Sequence, residues 1–241
     1  MAMRQVSGFT LGQDEFGNAY VLDLDSLISS YIYLTGAYEA EQIKIFLAQA
    51  ERFACRSVID IGANIGVYTL ACARNPRFES LYAFEPDPRN RALLQANLVL
   101  NDFLDRVVVS DCALSNTDGT ASFRLERKAY TAIWGKTNAS NSRFAPPDEN
   151  ENPYQTVPMR RLDSLYQFNG EQLAIKLDVE GFEKSVLEGM ENTLRSNKCM
   201  LLVEIYPANF TAVDSLLSSF GYRKMDLPME DDNHLYVNIA A

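Results

Sequence analysis

From residue 57 to the end of the chain, short apolar runs alternate with segments of helical period, and that rhythm leaves few folds open. SVIDIG (57–62), SLYAFEP (80–86), RVVVS (106–110), QLAIKLDVE (172–180) and CMLLVEIYP (199–207) read as strands. IGVYTLACARN (65–75), PDPRNRALLQANLVLN (86–101), GFEKSVLEGMENTL (181–194) and NFTAVDSLLSSF (209–220) read as helices, the second of them capped by Asp87 with Pro88 in its first turn. Strands separated by helices need crossover connections, and crossovers make parallel pairs. The pattern predicts an α/β fold with a doubly wound, mostly parallel sheet, closed by YRKMDL (222–227) and HLYVNI (234–239) as an antiparallel pair. Ligands of such sheets sit beyond the carboxyl ends of the strands, where the strand order reverses.

Two stretches leave the rhythm. Residues 1–55 carry a hairpin around DEFGNAY (14–20) and a helix in AEQIKIFLAQAERF (40–53), an N-terminal appendage leading into a main domain over 56–241. After a hairpin-like segment at 113–125, residues 126–156 are rich in Asn, Pro and Ser and show no clean period. A loop of that length inside a compact domain is uncommon and often serves as a lid. It holds the only tryptophan, Trp134, which makes it a candidate for binding an acceptor; an irregular connection anchored by a few aromatics is the plainer reading.

Composition narrows the partners. With 32 acids against 22 bases the net charge is −10, a field that repels polyanions and disfavours a nucleic-acid substrate. Cys55, Cys72, Cys112 and Cys199 are scattered within apolar segments without metal-ligand spacing, as buried small hydrophobes in a reducing compartment would be. The N-terminal residues lack the apolar core of a secretion signal, and no apolar run is long enough for a membrane span. A cytoplasmic protein is expected; oligomeric state is not readable.

Two motifs carry the chemistry. The first is VIDIGANIGVYTL (58–70), a strand that turns through Gly62 and Gly66 into a helix and so brings backbone and a helix N-terminus against a ligand. The next carboxylate, Glu85 at the end of the second strand, is placed to accept both hydroxyls of a ribose, which implies a nucleoside cofactor. A dinucleotide turn wants G-x-G-x-x-G, and Ala63-Asn64 stands where the middle glycine would let a pyrophosphate approach. A nucleoside without phosphates, such as S-adenosylmethionine, fits better. The second motif is IKLDVEGFE (175–183), where Lys176, Asp178 and Glu180 alternate with apolar residues and share one face if the strand persists that far. Burying such charges unpaired costs several kcal/mol each, about what desolvation demands, so they face one another, a ligand, or a wet cleft.

Together these motifs resemble the FkbM family of S-adenosylmethionine-dependent methyltransferases. The likeness extends through VIDIGANIG (58–66), FEP (84–86), Asn97 and Asn101, Leu162-Asp163, IKLDVEGFE (175–183) and Glu204-x-Tyr206, with TGAYE (35–39) similar to the usual lead-in. The resemblance implies a Rossmann-like class I methyltransferase fold with a seven-stranded sheet, S-adenosylmethionine as donor, and O-methylation of a hydroxyl on a sugar or natural-product small molecule. By similarity Asp60, Gly62, Asn64, Gly66 and Glu85 hold the cofactor, Asp111 lies near the adenine, and Glu39 reaches the methionine moiety. Asp178 is the first candidate for a general base and Glu180 the second, with Lys176 beside them, while Glu204 binds the acceptor or steadies Lys176. Alignment of acceptor oxygen and methyl carbon at about 3 to 3.5 Å is the other catalytic task.

Rivals stay open at this level. Asp178, Glu180 and Glu204 are hard oxygen donors that would suit Mg²⁺, although a metal-free base is the preferred reading. A nicotinamide-dependent oxidoreductase or sugar epimerase would share the sheet and Glu85, but the missing glycine and the lack of a Tyr-x-x-x-Lys pair speak against it. A binding module that has kept the fold and lost the chemistry has no need to keep Lys176, Asp178 and Glu180 together. The single histidine, His234, reads as structural.

Overall fold

The computed structural model describes residues 8–124, 143–144, 154–229 and 232–239. Ahead of the main sheet come a hairpin of β1 (Phe9–Gln13) and β2 (Ala19–Asp23), then helices α1 (Leu27–Thr35) and α2 (Ala40–Arg52). The sequence does not announce α1, because Ile28, Tyr31, Ile32 and Tyr33 favour strands by propensity.

Alternation then sets in as expected: β3 (Ser57–Ile61), α3 (Val67–Arg74), β4 (Ser80–Phe84), α4 (Pro88–Leu100) and β5 (Val107–Ser110). Asp87 caps α4 by accepting hydrogen bonds from the Arg89 and Asn90 amides. Strands β6 (Ala113–Leu114), β7 (Gly119–Arg124), β8 (Arg143–Phe144) and β9 (Tyr154–Arg160) follow, then the short helix α5 (Leu162–Leu165). The second half is β10 (Gln172–Leu177), α6 (Glu183–Gly189), α7 (Glu191–Ser196), β11 (Lys198–Glu204), α8 (Phe210–Ser219), β12 (Arg223–Lys224) and β13 (Asn233–Val237).

Among the described residues a seven-stranded sheet runs β12-β13-β11-β10-β3-β4-β5. The five strands from β11 to β5 are parallel, and β13 lies antiparallel to both β11 and β12, the expected closing pair. From β3 the chain works outward through β4 and β5, then returns to lay β10 on the other side of β3. The order therefore reverses between β3 and β10, and a crevice opens at their carboxyl ends.

Both faces of the sheet are covered, so β3 is buried at every position. Val58, Ala174, Met200 and Leu202 point into the layer holding α2, α3, α4 and the N-terminal hairpin. Ile59, Ile61, Ile175, Leu177 and Val203 point into the layer of α6, α7 and α8. Tyr20, Leu22 and Ile32 belong to the first of these clusters, so the N-terminal segment shares the core of the main sheet. All four cysteines are free and buried.

Two readings need correction. The segment at 113–125 is not a hairpin, since β6 and β7 pair not with each other but with β9, which lies between them. The predicted single helix over 181–194 breaks at Met190, beside Gly189, whose added Cβ would sit 1.9 Å from the Ser115 carbonyl oxygen. Most of the supposed lid over 126–156, with Trp134, lies outside the described residues; β9 begins at Tyr154, within that range.

Candidate active site

The crevice at the switch point is a cleft of about 270 Å³. Its floor is built by the turn after β3. Gly62, at φ 81°, lies so close to the returning chain that an added Cβ would stand 1.8 Å from the Asp178 carbonyl oxygen, so glycine is dictated here by the fold itself. The amides of Gly62 and Ala63 both donate to the Phe84 carbonyl at 3.0 Å, which ties the turn to the end of β4.

Glu85 follows at that strand end, only 5% exposed. One carboxylate oxygen accepts from the Asn64 amide and the other from the Asp87 amide, each at 2.7 Å. Burial raises its pKa to about 8, although these two backbone bonds pull the other way. Arg91 donates to the carbonyls of Glu85 and Pro86 and fixes this corner from behind.

On the neighbouring strands Asp60 and Lys176 stand side by side in register and interrupt the first apolar layer at its edge. Asp60 accepts from the Thr69 hydroxyl; burial raises it to about 6, against the pull of Thr69 and Lys176. Lys176 is 3% exposed, and its Nζ finds no hydrogen-bond acceptor among the described residues. It lies 3.6 Å from the Asp178 carboxylate and 5.2 Å from the centre of the Tyr68 ring. Burial works against its charge, but Asp178, Glu39, Glu204 and Asp60 outweigh that and hold the ammonium above its ordinary value.

Beyond Leu177 the alternation read from the sequence stops. β10 ends there, the Asp178 amide reaches across to the Ile61 carbonyl at 3.0 Å, and Glu180 adopts a left-handed conformation at φ 53°. Lys176 reaches the cleft from the strand itself, and Asp178 and Glu180 from the turn that follows it, so the three do not share one strand face. Glu180 accepts from the Tyr206 hydroxyl. Glu204, at the end of β11, is pushed up by burial and by the Asp178 carboxylate beside it. Glu39, also left-handed at φ 50°, accepts from the Tyr68 hydroxyl at 2.9 Å. Glu39, Asn64 and Glu180 are three cleft residues that occupy a backbone region costly for a side chain, as functional turns often do.

Nine of the predicted site residues thus line one cleft: Glu39, Asp60, Gly62, Asn64, Glu85, Lys176, Asp178, Glu180 and Glu204. Gly66 does not; it caps α3 at φ 95° and packs against Leu94. Asp111 does not either. After β5 the chain turns so that Ala113 and Leu114 face the cleft, while Asp111 lines a separate recess with Arg91 and Arg160. Tyr38, Tyr68 and Tyr206 join the lining without having been assigned a role. Tyr38 and Tyr206 lie inside the stretches TGAYE and Glu204-x-Tyr206, and Tyr68 inside VIDIGANIGVYTL, but in its helical part, which is apolar enough to read as core. Asp178, Glu180 and Glu204 do not form a set able to hold a metal ion among the described residues.

A doubly wound sheet in this order, with a carboxylate-anchored turn at its switch point, is the class I methyltransferase architecture. The chain belongs to the FkbM family of S-adenosylmethionine-dependent methyltransferases, whose methyltransferase FkbM domain matches residues 60–224. Methyltransferase sdnD of Sordaria araneosa is 33% identical over 124 residues, which is 51% of this chain and 43% of that one. The match therefore spans less than half the length of that relative. Methyltransferase 1 of Beauveria bassiana (strain ARSEF 2860) is 26% identical over 178 residues, 68% of this chain and 71% of that one. Solved structures with looser likeness include M. jannaschii TYW2 in complex with AdoMet, at TM-score 0.47 and 15% identity over 98% of this chain and 87% of that one. An O-methyltransferase from Bacillus cereus in complex with SAH has TM-score 0.49 and 9% identity, covering 83% of this chain and 80% of that one.

Proposed function

We propose that the protein transfers the methyl group of S-adenosylmethionine to a hydroxyl oxygen of a sugar or natural-product small molecule. One observation carries the choice of oxygen: the unspent N–H donors of buried Lys176 lie 3.6 Å from the acceptor-only carboxylate of Asp178. A hydroxyl complements such a pair, because it accepts one hydrogen bond while donating another. An ammonium has no lone pair for Lys176, and a carboxylate has no proton for Asp178.

The donor set also suits the cofactor. Each oxygen of Glu85 has one backbone donor and keeps a lone pair for a ribose hydroxyl. Pro86, Asn90, Ala113 and Leu114 offer a mainly apolar slot next to it for a base, and Glu39 and Tyr68 are on hand for the amino-acid end. S-adenosylmethionine supplies an already electrophilic methyl group, so the chain's own task is to orient the acceptor and remove its proton. Lys176 steadies the oxygen as negative charge develops on it. Asp178 takes the proton, a role worth about 10² to 10⁴ in rate. Glu180, held by Tyr206, and Glu204 shape the acceptor side.

The decisive experiment incubates the protein with cofactor labelled in the methyl group and an extract of its source cells, then identifies the linkage formed. An O-methyl ether is expected, and label on nitrogen or carbon would overturn the reading. With an acceptor in hand, Asp178→Asn should lower kcat by about 10² or more and leave cofactor affinity within a few-fold. Unchanged turnover would remove Asp178 from the role of base.

A further inference from the structure

We infer that the acceptor is uncharged or cationic, and that molecules bearing phosphate or carboxylate near the reacting hydroxyl are excluded. The inference rests on the proposed transfer to a hydroxyl and adds its charge class. Beyond the nucleoside slot, the carboxyl groups lining the cleft are Glu39, Asp60, Asp178, Glu180, Glu204 and Asp232, against Lys176 as the only cationic side chain there among the described residues. That single positive charge is already met, with Asp178 at 3.6 Å and further carboxylates around it. What Lys176 still has to give is hydrogen-bond donors, which a neutral hydroxyl oxygen can use. An entering anion finds no uncompensated cation and several carboxylates. A neutral polyol, by contrast, can donate to the carboxylates there and accept from Lys176. Even with Glu204 protonated, as burial and the neighbouring Asp178 favour, acids outnumber the one base. The same field favours positive charge at the point of transfer.

Charge preference is testable before any acceptor is known. Calorimetry on the full chain compares sinefungin, which carries an ammonium where the transferable methyl sits, with S-adenosylhomocysteine, which carries nothing there. Sinefungin should bind at least tenfold more tightly at low ionic strength. The ratio should shrink in an Asp178→Asn, Glu204→Gln double variant, and also in the unaltered protein as salt is raised, which keeps the test valid if the variant misfolds. Equal affinity for the two compounds would overturn the inference. In the labelling experiment, products separated on an anion exchanger should pass through unretained, and label on retained phosphate or carboxylate species would equally overturn it. If no fraction takes label while sinefungin still binds preferentially, methyl transfer to that extract fails and the charge preference stands.

Discussion

Glu85 is the residue whose behaviour most directly tests the proposed cofactor site. Burial outweighs two backbone amides and the nearby Arg91, so it stands at about 8 where an ordinary carboxyl stands at 4.5. The folded protein thus holds a proton that the unfolded chain releases. This stability is fully present below pH 4.5 and is lost as pH rises through 8. Thermal melts between pH 5 and 9 should show that decline, and Glu85→Gln should flatten it. Ribose hydroxyls donating to the carboxylate would lower its pKa, so binding of S-adenosylhomocysteine at pH 7 should release a proton. Titrations in buffers of different ionisation heat would detect the release, and it should vanish in Glu85→Gln. Glu85 was legible because an acid at the end of the second strand has a mechanical use beside a glycine turn. Tyr68 was not, since nothing in an apolar helix marks which residue turns its polar tip toward a cleft. Asp111 misled for a related reason: the turn after Ser110 decides which residue faces the cavity, and sequence spacing does not encode that turn.

At the scale of elements, strands covered on both faces are nearly uniform apolar runs, which made β3, β4, β10 and β11 plain. β9 was hidden by Pro158, a residue that argues against an inner strand, and by its position at the edge of a segment without period. Helix ends hide in the same way. α2 closes with the Cys55 amide bonded to the Ala50 carbonyl and the Ala54 amide to that of Glu51, a Schellman arrangement that puts Ala54 at φ 54° where glycine is usual. Ala54→Gly should therefore stabilise the protein by about 0.5 to 1 kcal/mol in chemical denaturation without altering cofactor binding. Asn97 does the opposite service by joining elements. Fully buried on α4, it accepts from the Val21 amide of β2 and donates to the Ile65 carbonyl of the glycine turn. Asn101 grips both backbone groups of Ala19 one turn on, so the pair blunts an otherwise open strand edge. Asn97→Ala leaves two backbone groups unpaired and should cost about 3 kcal/mol by the same measurement.

For the whole molecule, the mostly parallel sheet and its antiparallel closing pair followed from rhythm, and a site beyond the strands' carboxyl ends from the doubly wound topology; the strand order itself did not. The standing of the N-terminal residues did not. Read as an appendage, they contribute Tyr20, Leu22, Ile32 and Phe46 to the larger apolar cluster, while Glu39 and Tyr38 wall the cleft. A chain beginning at residue 56 should lose cooperative melting followed by circular dichroism and fail to bind S-adenosylhomocysteine; a sharp transition would show that the sheet folds without this segment. Sequence could not weigh this, because an amphipathic helix looks alike whether it covers a core or decorates one. The sequestered thiols have a practical consequence. Each sulfur is shielded, and burial holds every one of them in the unreactive protonated form. A dithionitrobenzoate reaction should stay nearly silent on the intact enzyme and then run at the pace of transient opening. The chain thus carries its own unfolding clock, with no engineered probe required.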